Sequence, residues 1–455
     1  MYSSILKRGS FNKVFCAEAT GVYIKDSNGR EYIDSCSGAV ASLGYSNQSI
    51  TDAMVEQVQR VPFAHTGTFT SEAAESLADL LIKQSNGVFS KVVFSPSGTE
   101  AVEVALKLAS QFWRINGYEK KNIVLCRELS YHGGSSKTLE VGGQLNRKKY
   151  FSKGSNQSEN IRVCNVYRNL DSFETVDDYI NYCVDSLERE IVNAGAENVS
   201  CFLIETVGGS TSGSVTAPKG YFDQIEQLCK KYNILLILDE VMCGLGRTGY
   251  YYAYEAECIS PDIIAVGKTI AAGYQPLAAT LCNNRVADTI ESLRSGFVHA
   301  GTYVGHNVAC AAGFAAQKYV LENSLVDAVN EKGYYLSSVL KRELGNLSIV
   351  GDVRGRGFLK SIELVKSKAQ NTPFSADENV SEMVKNIGMN NQILLYTCEG
   401  FSHKGTSDHI LIAPPYICST DELDCITERV VNTITTVESL LHNTKKRRLS
   451  CQPIN

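Results

Sequence analysis

Along the chain, short unbroken apolar runs alternate with longer stretches whose apolar positions recur at helical spacing. Residues 234–238 form one such run, which stops at Asp239-Glu240. A run without polar alternation suits a strand buried on both faces of a parallel sheet. Ile263–Val266 repeats the pattern and stops at Gly267-Lys268, and residues 202–204 stop at Glu205. Residues 92–94 and Ile123–Cys126 are further short strands. Helical spacing predicts helices over residues 50–59, Glu72–Gln84, the segment after Ser97 (Val102, Ala105, Leu106, Ala109, Phe112, Trp113), residues 221–232 and residues 307–320. Apolar–polar alternation around Asn28-Gly29 predicts a hairpin within residues 21–34. From about Leu325 the pattern becomes helix, strand near Ile349, strand over 358–364, helix, strand over 393–396, and a closing helix over 421–441. The expected fold class is α/β. A large domain with a mostly parallel central sheet spans residues 51–320, a smaller α+β domain spans 321–455, and residues 1–50 join the small domain.

In open α/β sheets, ligands sit beyond the carboxyl ends of the strands. The apolar runs deliver Glu205, Asp239 and Lys268 to such ends. An acid beside a pyridinium nitrogen keeps that nitrogen protonated, so the ring serves as an electron sink, while a lysine holds an aldehyde as a Schiff base. This pairing suits pyridoxal 5'-phosphate (PLP). Ser97 and Glu100 have the S-x-x-E form of a capping box, and the free backbone N–H groups of Gly98 and Thr99 at that helix start suit a phosphate.

The segments LDEVMCGLGRTG (238–249) and VGKTIAAGYQPLAA (266–279) resemble the class III aminotransferases of the PLP-dependent fold type I superfamily. The resemblance runs from about Gly9 to Glu438. It implies that Lys268 carries the cofactor and moves the substrate proton, and that Asp239 pairs with the ring nitrogen. It places the cofactor phosphate at Ser97, Gly98 and Thr99, stacks Tyr131 on the ring with His132 in support, packs Val241 beneath it, and turns Glu205 toward the site. Thr206 stands where relatives usually carry proline. Thr302 is implied to reach the phosphate of a partner subunit, hence a homodimer with shared sites. The implied partners are an amine donor and a 2-oxo acid acceptor. An intramolecular amino shift, an elimination or a catalytically inactive regulatory role are the alternatives; the presence of both Lys268 and Asp239 argues against the last.

Substrate choice turns on arginine, which grips carboxylates with two parallel hydrogen bonds. Relatives acting on acetylornithine or 4-aminobutyrate carry an arginine where this chain has Gly134, and no arginine occurs between Arg356 and Arg429. Arg247 and Arg354 sit in glycine-rich motifs and are expected to brace loops; His403 and Lys404 read as an exposed loop. An ω-amine or diamine donor is therefore expected, with pyruvate preferred to 2-oxoglutarate.

The other features change this picture little. With 455 residues, 44% hydrophobic, the chain can build a full core, and a net charge of −5 of mixed sign points to neither nucleic acid nor an anionic membrane. No apolar run approaches the length of a membrane-spanning helix. Fifteen cysteines without a CxxC pair read as buried thiols of a reducing compartment, cytoplasmic or, given the basic first residues, mitochondrial. The basic run 445–448 reads as a solvated end, and residues 144–160 as a loop covering the site entrance. His132, His299 and His306 lack HExxH or CxxC company, so no metal is expected. Gly244–Gly249 fits G-x-G-x-x-G, but an aromatic segment rather than a helix follows, so these glycines are read as a loop passing close to the site.

Overall fold

The structure, a computed structural model, describes residues 4–6, 14–151, 160–402 and 405–450. The predicted hairpin is present: β1 (Cys16–Thr20), β2 (Tyr23–Asp26) and β3 (Glu31–Asp34) pair antiparallel in sequence order. Asp26 closes the turn by accepting from Asn28 N at 2.8 Å and Arg30 N at 3.0 Å, and Gly29 supplies the positive φ of 81°.

The central sheet has six strands, β4 (Lys91–Ser95), β5 (Ile123–Cys126), β6 (Val199–Glu205), β7 (Leu235–Glu240), β8 (Ile263–Val266) and β9 (Ala278–Cys282). Their order is β4-β9-β8-β7-β6-β5. β5 to β8 are parallel, and β9 runs against both of its neighbours. Every residue of β6, β7, β8 and β9 is buried, which is why their sequences show no polar alternation. The period of two still sorts the side chains. Ile204, Leu236, Leu238 and Ile264 join a core with Phe222 and Ile225 of the helix Tyr221–Lys231. Leu203, Leu235, Ile237 and Ile263 face the other way, against Val102, Ala105 and Trp113 of the helix Gly98–Ile115. Each such buried aliphatic side chain contributes roughly 1.5–3 kcal/mol. The parallel register then fixes the site: Glu205 lies opposite Asp239, and Glu240 opposite Val266, so both acids and Lys268 share one edge.

The C-terminal part contains β10 (Val350–Arg356), β11 (Leu359–Leu364), β12 (Ile393–Leu394), β13 (Tyr396–Ser402) and β14 (Gly405–Ile412). β10, β11, β14 and β13 form an antiparallel sheet in that order. The single strand expected over 393–396 is split at Leu395: β12 instead pairs in parallel with β3, tying the N-terminal hairpin to this part. The closing helix, Thr420–Ser450, runs past its expected end and carries the basic run within its last turns. It starts with a reciprocal cap, Glu422 N donating to Ser419 Oγ at 3.2 Å and Ser419 N to Glu422 Oε2 at 2.7 Å.

This part grips the edge of the central sheet. Arg354 donates to Gly213 O at 2.6 Å and Ser212 O at 3.1 Å, and His409 Nε2 lies 2.8 Å from Ser210 O. Arg354 also pairs with the buried Glu363, which Arg168 engages through Nε at 2.6 Å. Burial raises the Glu363 carboxyl, but the two arginines outweigh it and hold it below its ordinary value. The loop after β6 is thus clamped in place.

Candidate active site

Beyond the carboxyl ends of β6, β7 and β8 lies a cavity of about 270 Å³. Its floor is strand-borne. Glu205 Oε1 accepts from Gly209 N at 2.9 Å, and burial raises its carboxyl. Asp239 Oδ1 accepts from Val241 N at 3.1 Å, while its Oδ2 lies 2.8 Å from His132 Nδ1. The His132 side chain is fully buried. Burial opposes a charge on it, but the hydrogen bond with Asp239, helped by the nearby Cys126, outweighs that and pushes the imidazole up to about 10. The pairing thus favours the charged form of His132, and the ring holds the Asp239 carboxylate in place.

Strict alternation gives the neighbouring acid a different task. Glu240 accepts from Thr206 Oγ1 at 2.8 Å, Ala253 N at 2.7 Å and Tyr254 N at 2.8 Å, with burial pushing it up to about 7. It anchors the loop after the glycine motif and does not line the cavity. Within that motif Arg247 is buried, donates to Pro414 O at 2.6 Å and lies 4.6 Å from the Tyr416 ring centre.

Three lysines are held below their ordinary value by burial: Lys121, Lys268 and Lys360. Lys121 is spent on three carbonyls, Ala196, Val199 and Asn233 at 2.7–3.1 Å, and Lys360 donates to Gly355 O at 3.1 Å. Lys268 alone of the three lines the cavity. Among the described residues its amine has no hydrogen-bond partner, and the negative charges of Asp239 and Glu205 partly offset the lowering. Its backbone sits at φ 43°, in the left-handed region that a lysine rarely adopts. Such strain persists where the surrounding structure over-determines it, and it clusters at functional sites.

One wall is the start of the helix Gly98–Ile115. Ser97 Oγ accepts from Glu100 N at 3.3 Å, leaving the N–H groups of Gly98 and Thr99, which line the cavity, without an intrahelical partner. A Cβ at Gly98 would lie 2.5 Å from Val241 Cγ1, so only glycine fits there. Gly133, at φ 137°, is as restricted: its Cβ would meet Thr138 Oγ1 at 2.6 Å and Thr99 Oγ1 at 2.9 Å. Thr99 Oγ1 also accepts from Gly134 N at 3.3 Å.

Of the predicted site residues, Ser97, Gly98, Thr99, Tyr131, His132, Glu205, Asp239, Val241 and Lys268 all line this cavity. Thr302 does not; it is exposed in a turn outside it. An accessible amine, a fixed carboxylate, an aromatic wall and a helix start bare of side-chain bulk match, group by group, what the aldehyde, ring nitrogen, ring and phosphate of PLP require.

Sequence reasoning missed Arg147. It lies in a helical turn, Leu145–Lys148, within the stretch read as loop; residues 152–159 of that stretch lie outside the described residues. Arg147 lines the cavity, its guanidinium carbon 4.5 Å from the Tyr131 ring centre. No strand end or motif marks it, and the reading of this stretch as a cover over the entrance was the only available signal. Arg354 is braced as expected, and His403 and Lys404 lie outside the described residues.

The family model described as aminotransferase class-III matches residues 5–434. An uncharacterized aminotransferase of Schizosaccharomyces pombe is 35% identical over 93% of this chain and 93% of its own length. The taurine–pyruvate aminotransferase of Rhodobacter capsulatus is 30% identical over 91% of this chain and 89% of its own. The solved structure of the omega transaminase from Pseudomonas jessenii in complex with PMP superposes with a TM-score of 0.87 at 27% identity, covering 94% of this chain and 93% of that one. The family model and these relatives show that the chain belongs to the class III aminotransferases, PLP-dependent enzymes that move an amino group from an amine to an oxo acid.

Proposed function

We propose that this enzyme transfers the amino group of an ω-amine or diamine to a small 2-oxo acid, pyruvate before 2-oxoglutarate. The observation that carries the reading is the supply of cations in the cavity. Among the described residues, Arg147 and Lys268 are its only cationic side chains besides His132, which is spent on Asp239. One free arginine serves one carboxylate. A dicarboxylate acceptor, or an α-amino acid donor with an acidic side chain, asks for two. Taurine, named for the Rhodobacter relative, is an ω-amine, and pyruvate is that relative's acceptor.

PLP supplies, when bound, an aldehyde that captures amines and a ring that takes up the electron pair left by a lost proton. The protein's own groups do the rest. Lys268, whose amine burial holds below its ordinary value, would hold the cofactor through the aldehyde. When not bound to the cofactor, its amine would be the base placed to move a proton to or from the substrate carbon. Asp239, fixed by His132, keeps the ring nitrogen protonated. Tyr131 and Val241 wall the ring, and Ser97, Gly98 and Thr99 receive the phosphate at the helix start. Glu205, held on Gly209 N, keeps a polar group beside the ring.

On the same reading the chain divides near residues 50 and 320 into an N-terminal segment, a large cofactor domain and a small domain. Two copies associate, and Thr302 of one protomer completes the phosphate site of its partner. Exposed apolar side chains support association: Val55, Val58, Val61, Phe63, Val298 and Tyr303 are all solvent-exposed, with the Phe63 and Tyr303 rings 6.4 Å apart. The described cysteines are free thiols, in keeping with a reducing compartment such as the cytoplasm, and no helix among the described residues is long and apolar enough to cross a membrane. A donor panel tests the substrate reading. Taurine, a diamine, glutamate and acetylornithine are each assayed with pyruvate and with 2-oxoglutarate. The highest kcat/KM is expected for an ω-amine or diamine with pyruvate; glutamate or acetylornithine with 2-oxoglutarate at the top of the panel would reject it.

A further inference from the structure

We infer that Arg147 is the group that recognises the carboxylate of the oxo-acid acceptor, an assignment that rests on the transaminase reading above. Four observations support it. Arg147 lines the same cavity as Lys268 and Asp239, so its head is within the space a substrate enters. Its guanidinium carbon lies 4.5 Å from the Tyr131 ring centre, and among the described residues its N–H groups make no hydrogen bond, so they remain available to an anion. It has no carboxylate partner among the described residues, unlike Arg168, Arg354 and Arg356, which are paired with Glu363 or Glu257. The segment that carries it is fastened, Lys148 Nζ donating to Glu140 O at 2.7 Å.

The chemistry of the surroundings favours this use. Tyr396 lines the cavity too; burial raises its phenol, and the charge of Arg147 opposes that shift. A carboxylate entering here gains two parallel charge-assisted hydrogen bonds from a planar fork that already packs near an aromatic ring, so less side-chain freedom is lost on binding. A carboxylate-free amine gains nothing from the same group. The two halves of the reaction should thus depend on Arg147 unequally. If Arg147 did no more than brace Tyr131, both halves would depend on it alike.

The test uses PLP-loaded enzyme, wild type, Arg147→Gln and Arg147→Lys, each checked for an unchanged melting curve. Three quantities are measured: KM for pyruvate, the inhibition constant of propionate (an unreactive carboxylate), and the single-turnover rate with 1-phenylethylamine (an amine without a carboxylate). Loss of a charged bidentate contact is expected to raise the pyruvate KM and the propionate constant about 30-fold in Arg147→Gln. Arg147→Lys, which keeps the charge but not the fork, is expected to fall between. The change in the amine half-reaction should be at least about ten times smaller than the change in the pyruvate KM. Equal slowing of both halves would reduce Arg147 to a support for Tyr131, and unchanged pyruvate and propionate constants would remove it from the substrate site. Wild-type enzyme that works best with 2-oxoglutarate would overturn the substrate reading itself, an outcome visible before any variant is made.

Discussion

At the floor of the cavity, Glu205, Asp239 and Lys268 sit at or just beyond the ends of three buried parallel strands. At its mouth, Arg147, Ser210 and Tyr396 come from a short helical turn, a loop and the first residue of an edge strand. The floor is over-determined. Moving Asp239 means shifting a strand whose neighbours interdigitate on both faces, and a one-residue slip would exchange it with Glu240. The turn that carries Arg147 is held by fewer and more local contacts, such as that of Lys148 Nζ with Glu140 O at 2.7 Å. A reaction needs fixed groups, whereas substrate choice needs a wall that can change without unfolding the enzyme. The two regions divide these tasks.

The comparison breaks most visibly at the floor. Lys268→Ala is expected to lower kcat by about 10⁴-fold or more with every donor, since no other cavity amine can hold the aldehyde or carry the proton. Near-normal turnover of that variant by stopped assay would detach Lys268 from the chemistry. Asp239→Asn is expected to cost about 10²–10³-fold in kcat, because an amide cannot hold the ring proton electrostatically, with thermal melting little changed. An equal loss with every donor and acceptor is the signature of a floor residue.

Much of the floor was legible in the sequence. Unbroken apolar runs locate parallel strands because both faces of those strands are covered, and the residue that ends each run lies where ligands bind. The helix start at Ser97 was legible for the same local reason: a hydroxyl that caps a helix leaves its first N–H groups open. Tyr131 and His132 rested on resemblance. The hydrogen bond from His132 to Asp239 joins residues far apart in the chain, and no local pattern encodes it. The mouth was not legible. Arg147 lies in a polar stretch without periodicity, and its approach to Tyr131 is a contact that no local pattern encodes. The split between β12 and β13 was hidden because one apolar run serves two sheets.

Two smaller effects sharpen the contrast. His132 has a folded-state value pushed up to about 10 from an ordinary 6.5. Its contribution to stability is therefore fully present below pH 6.5 and is lost as the pH rises through about 10. His132→Gln is expected to destabilise the protein by about 2 kcal/mol at pH 6, with a smaller difference at pH 10. Urea unfolding at the two pH values checks this; a gap that widened with pH would reverse the assigned charge state. At the mouth, Tyr396→Phe is expected to change kcat/KM by about 2–5-fold, with a different sign or size for different acceptors and no loss of bound PLP. A uniform loss across all substrates, or release of the cofactor measured by absorbance, would move Tyr396 from the mouth to the floor.

The most direct test is to fix the cofactor to the protein chemically and find where it sits. PLP-loaded enzyme is reduced with borohydride, digested, and the pyridoxyl-bearing peptide identified by mass spectrometry. Lys268, the lysine that combines a lowered basicity with a place in the cavity and no hydrogen-bond partner among the described residues, is expected to carry the label. A label on Lys121 or Lys360, the other two buried lysines with lowered values, would contradict the account at its centre.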